Sequence, residues 1–141
     1  MNSDLKLIGY RVEKLHFALN ENFDASSKQK VRVQPNFHRD VHKIDASKYA
    51  VRLTVAISEE HQESDVPFFA EVRIAAKFKF ENWEEADRHS IAVNNGTAIL
   101  FPYLRTLLSN ITMNGNVPPY TLPVMNVNNL FKEKEKDKQA E

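Results

Sequence analysis

The chain has 141 residues, 42% hydrophobic and 27% charged, a mixture that suits one globular domain with its own core. Its 19 Lys and Arg balance 19 Asp and Glu, which leaves no basic excess to hold nucleic acid or an anionic membrane. The absence of cysteine excludes disulfides, thiolate nucleophiles, Cys-bound zinc and iron–sulfur clusters.

The start, MNSDLKLIGYRVEK, has no apolar signal segment, and no window holds 18 consecutive apolar residues, so a cytoplasmic protein without a transmembrane span is expected. In the first predicted strand Ile8, Tyr10 and Val12 share one parity, while Leu15, Phe17 and Leu19 share the other. A bulge near Glu13 and Lys14, or a strand passing between two packing surfaces, explains the switch. Asn20 to Gln29 reads as a loop. Val31 and Val33 open an extended stretch that Pro35 confines to a sheet edge or a crossover. Two further strands are plain: Tyr49, Val51, Leu53, Val55 and Ile57 alternate with smaller or polar residues, and the same period runs from Phe68 to Phe80. The polar run from Ser58 to Pro67 joins them as a long hairpin connection.

After Trp83 the period changes. Glu84 to Val93 suits a short helix, closed by the turn signal Asn94-Asn95-Gly96. Thr97 then reads as the N-cap of a helix of about 17 residues, roughly 25 Å long, with Pro102 tolerated near its start. Ile99, Leu100, Tyr103, Leu104, Leu107, Leu108 and Ile111 form its wide apolar stripe, and Asn114-Gly115 ends it. The proline-rich segment from Val117 to Val124 is extended, Asn126 caps a last helix through Phe131, and KEKEKDKQAE is a solvated, alternating-charge end. Strands followed by helices make an α+β pattern.

Little catalytic chemistry is available. With three glycines, no phosphate-cradling loop can be written, and HExxH and GxSxG are absent. His38 and His42 are four apart, but on an extended segment that spacing is about 13 Å, too far for a shared metal. Neither an enzyme nor a cofactor is expected. The distinctive feature is apolar residues in irregular segments: Phe37 after Pro35, and Tyr120, Leu122 and Val124 among the prolines. These either complete the core or wall an apolar groove.

Residues 98–131 carry a resemblance. Ile99, Leu100, Phe101, Pro102, Tyr103 and Arg105, a helix ending at Gly115, then Pro118, Leu122, Asn126, Leu130 and Phe131, resemble the SecB family of protein-export chaperones. The strand YAVRLTVAIS and the segment FFAEVRIAAKF fit the same family. The resemblance implies an α+β fold: a four-stranded antiparallel sheet with a crossover, packed by a long helix and a C-terminal helix. It implies one SecB-like domain over residues 1–131 and a charged, flexible tail over 132–141. It also implies a homo-oligomer, a tetramer built as a dimer of dimers, that holds unfolded polypeptides in hydrophobic grooves without ATP. Carried over by position, the groove residues are Val31, Val33, Phe37, Tyr120, Leu122 and Val124. Phe69 and Glu71 match the surface that docks the SecA motor, whereas Lys14 and Ala18 stand where the family has acidic residues. That departure leaves two partners open, SecA or the antitoxin of a toxin–antitoxin pair, and a scaffold protein without clients is the rival reading.

Overall fold

A computed structural model of the chain describes residues 4–21, 23, 35–57 and 66–115. Four strands, β1 (Asp4–Leu19), β2 (Pro35–Lys43), β3 (Lys48–Ile57) and β4 (Phe68–Glu81), form one antiparallel sheet in the order β1-β4-β3-β2. Consecutive strands β1 and β2 therefore occupy opposite edges, so the connection between them is a crossover. Pro35 begins the edge strand β2, where its missing N–H costs no central ladder bond. Asn82, in the left-handed region with φ 62°, turns the chain out of β4, a conformation that Asn tolerates better than most residues.

The parity switch in β1 is a bulge. Val12 pairs with Ile74 and Lys14 with Arg73, which leaves Glu13 as the extra residue. A second shift, between Leu7 and Gly9, makes Ile8 another. Each extra residue turns the alternation over, so Leu5, Leu7, Tyr10, Val12, Leu15, Phe17 and Leu19 all belong to one face despite their mixed parity.

The helical part departs from expectation at its start. Helix α1 (Glu85–Ile91) runs through a π-helical turn (Ala92–Gly96) directly into α2 (Thr97–Asn114). Asn94-Asn95-Gly96 is thus not a chain reversal, and Thr97 is not an N-cap. Its backbone is helical and its hydroxyl donates back to the Val93 carbonyl. Gly96 is helical as well, with φ −60°. Its place is set by contact: a Cβ there would lie 3.1 Å from Val51 and 3.3 Å from the Phe78 ring. The wider π turn leaves backbone carbonyls in need of donors. The buried Arg39 of β2 supplies one, donating to the Val93 carbonyl (3.3 Å) and to the Thr97 hydroxyl (3.2 Å). Helix α2 ends at Gly115 as its sequence predicts, and the Phe17 ring fills the space where a Cβ would sit.

The core lies between the sheet and α2. Val51, Leu53, Val55, Val72, Ile74 and Phe78 present the sheet side, and Leu100, Leu104 and Leu108 the helix side, all fully buried. The expected C-terminal helix and the charged end lie outside the described residues.

Candidate functional site

Helix α2 lies over β4 and β3, so the helix-side row of the edge strand β1 is left partly uncovered. Tyr10, Val12, Leu15 and Leu19 are 39–59% exposed along this row. Ile99 and Tyr103 of α2 flank it, at 38% and 44%. Helix and strand meet where the Tyr103 ring sits 4.9 Å from that of Tyr10, and again where Phe17 abuts Gly115. Burial, reinforced by the neighbouring Tyr103, pushes the Tyr10 hydroxyl above the ordinary value of 10.0. The row is an apolar shelf with two phenol hydroxyls. Such a surface associates with extended apolar chain or with another apolar surface. The signal for it was the parity switch in β1, which becomes informative only once the bulge at Glu13 is known.

Among the residues expected to form a groove, Val31, Val33, Tyr120, Leu122 and Val124 lie outside the described residues. Phe37 faces α2 and is 7% exposed, its ring 6.3 Å from that of Phe101, so within this protomer it is a core residue. The structure does not bring it to the shelf, which lies at the other edge of the sheet.

Phe69 and Glu71 lie on the opposite, outer face of the sheet. Phe69 pairs with Ala18 and is 6% exposed. Glu71 is half-buried, and its Oε2 is 2.5 Å from Lys14 Nζ and 3.6 Å from Arg73 Nη2. Its charge is thus met within the protomer. Nearby, the bulge residue Glu13 accepts from Arg52 Nε (2.5 Å) across two strands, and its Oε2 lies 2.9 Å from Arg11 Nη2. The bond from Arg52, helped by the arginine charges, holds the Glu13 carboxyl below the usual carboxylate range despite partial burial. Among the described residues no group of three His, Asp or Glu is placed to hold a metal ion, and no helix is long and apolar enough to cross a membrane.

A family model described as preprotein translocase subunit SecB matches residues 14–138. An uncharacterized protein of Methanocaldococcus jannaschii is 34% identical over 125 residues, which cover 87% of this chain and 79% of that one. The protein-export protein SecB of Saccharophagus degradans is 30% identical over 102 residues, covering 70% of this chain and 61% of its own length. In fold, the chain is similar to a Mycobacterium tuberculosis SecB-like chaperone solved in complex with a peptide of an antitoxin. That likeness has a TM-score of 0.67 at 21% identity and covers 86% of this chain and 90% of the other. The four-stranded sheet with its long helix is the fold that the resemblance implied, and with the family model spanning most of its length the chain belongs to the SecB family.

Proposed function

We propose that the protein is an ATP-independent holdase that keeps unfolded or extended polypeptides from aggregating. The observation that carries this reading is the shelf on β1 and α2: apolar residues 38–59% exposed, in a chain of the SecB family. Burial of apolar surface stabilises association by roughly 25 cal/mol per Å², without regard to sequence, so an unfolded chain binds and a folded one does not. Val31, Val33, Tyr120, Leu122 and Val124 are the residues we assign to the client groove, Phe37 being left to the core by its burial against Phe101, within a domain of residues 1–131 followed by a charged tail over 132–141. The working unit is a homo-oligomer, a dimer of dimers, acting in the cytoplasm with no cofactor. Two partners follow from the family: SecA, for export, or an antitoxin. The relative in complex with an antitoxin peptide supports the second, and so does the pairing of Glu71 with Lys14 and Arg73.

The test is aggregation of a chemically denatured client diluted into near-stoichiometric protein without nucleotide, followed by light scattering. Suppression is expected, and it should weaken when Tyr120, Leu122 and Val124 are changed to Ser. Unchanged scattering with folded protein would make the chain a scaffold instead. Glu71→Lys should abolish SecA binding if Phe69 and Glu71 form the motor-docking surface, and leave antitoxin binding as it was.

A further inference from the structure

The sheet face turned away from α2 is a second surface, on the other side of the sheet from the shelf. Register sets it out in cross-strand rows: Arg11, Ala75, Arg52 and Asp40 in one, Gly9, Lys77, Ala50 and His42 in the next, then Lys6, Lys79 and Lys48. The small residues Gly9, Ala50 and Ala75 floor a depression of about 820 Å³, with Arg11, Lys77 and His42 around it.

The charges on this face are unequal. Each carboxylate of this face whose side chain is described already has a partner: Glu13 has Arg11 and Arg52, Glu71 has Lys14 and Arg73, Glu81 has Lys6 at 3.3 Å, and Asp40 has the His38 ring at 3.1 Å. Lys77 and Lys79 are exposed and have no ion pair among the described residues. The face also holds an example of the group it accepts. Arg11 and Arg52 flank Ala75 in one row, and the Glu13 carboxylate bridges them.

From this we infer that the outer face docks an acidic, extended segment of a protein partner, whose carboxylates meet Lys77 and Lys79 above the Gly9, Ala50 and Ala75 floor. Charge complementarity sets the sign of the partner. Spacing sets its form: Lys77 and Lys79 are two residues apart on one strand, about 6.8 Å, the separation of alternate side chains in an extended peptide. A polypeptide fits better than single-stranded nucleic acid, because the described face displays no Phe, Tyr or Trp ring for bases to stack on, Phe69 being buried. The floor of small residues lets a backbone approach closely, and exposed Ile8 and Ile44 border it with apolar surface.

The experiment is fluorescence anisotropy of the full chain with a labelled alternating Glu-Ala peptide of about ten residues, at low and raised salt. A Lys-Ala peptide and a uridine-rich RNA of the same length are the comparison probes. The Glu-Ala peptide should bind, the Lys-Ala peptide should not, and binding should weaken with salt. Lys77→Glu with Lys79→Glu should reduce affinity at least about tenfold while client aggregation is still suppressed, so this proposal and the holdase reading fail separately. Lys77→Gln with Lys79→Gln, which removes the two charges without reversing them, should lose part of the affinity and decides the matter if the double reversal does not fold. Equal binding by the variants and the parent would overturn the inference. So would RNA binding tighter than the peptide and lost in the same variants, which would make this a nucleic-acid face.

Discussion

Glu13 shows how one extra residue becomes a structural device. The bulge takes it out of the pairing register and lets its carboxylate reach Arg52 two strands away as well as Arg11 on its own strand. Its carboxyl is held below the ordinary 4.5, chiefly by the bond from Arg52, so folding favours the charged form. The linkage has a definite sign. Stability from this group is fully present above the unfolded-state value and is lost as pH falls below about 4.5 through the folded-state value. Glu13→Gln should therefore destabilise the protein by about 1–2 kcal/mol at pH 7, an amount limited by the partial exposure of Arg52. In thermal melts the gap between variant and parent should close toward pH 3. A gap that is the same at both pH values would show that the carboxylate charge contributes nothing. Parity alone left a bulge near Glu13 and a strand passing between two packing surfaces as alternatives; the register selects the bulge, and sheet order brings Arg52, 39 residues away, to a carboxylate that already has Arg11 on its own strand.

At the scale of elements, α2 sets adjacent residues in opposite environments. Leu104 is fully buried against the sheet, while Tyr103 is 44% exposed at the shelf. Leu104→Ala should cost about 2–5 kcal/mol through lost burial and the cavity left behind. Tyr103→Ser should cost about 1 kcal/mol, mostly its ring contact with Tyr10, yet impair client holding. Denaturant melts beside aggregation assays separate the two effects, and equal losses of stability would mean that the shelf is core. The stripe that contains Leu104 was legible at helical spacing, and so were the alternating strands β3 and β4. The junction was not. Asn94-Asn95-Gly96 carries strong turn chemistry, but the buried Arg39 bonding to Val93 and Thr97, and the close approach of Gly96 to Val51 and Phe78, favour a continuous π turn. Local propensity yielded to a tertiary contact.

For the whole molecule, the two faces of the sheet differ in chemistry: apolar residues on the helix side, charge on the other. The edge strand β1, with its shelf 39–59% exposed, is the surface a second protomer or a client would cover. Val12→Glu with Leu15→Glu should leave the protomer folded, because neither side chain is in the core, but should shrink the assembly or weaken client capture. Light scattering coupled to size exclusion reads the assembly. A variant with the parent's size and the parent's holding activity would remove the shelf from both roles.

By itself the sequence determined the α+β class, the strand periods, the α2 stripe and the parity switch in β1, because each depends on spacing between near neighbours along the chain, and its motif residues carried the resemblance to the family. Only the tertiary structure decided which residues meet. A chain with 19 charges of each sign has no net field to read from composition, yet pairing in the order β1-β4-β3-β2 gathers Arg11, Arg52, Lys77 and Lys79 onto one face. From the sequence Phe37 was either core or groove wall, and the register with Val55 turns it toward Phe101 and into the core. Sign and burial are set by cross-strand register, which joins residues far apart in sequence and so leaves no local trace.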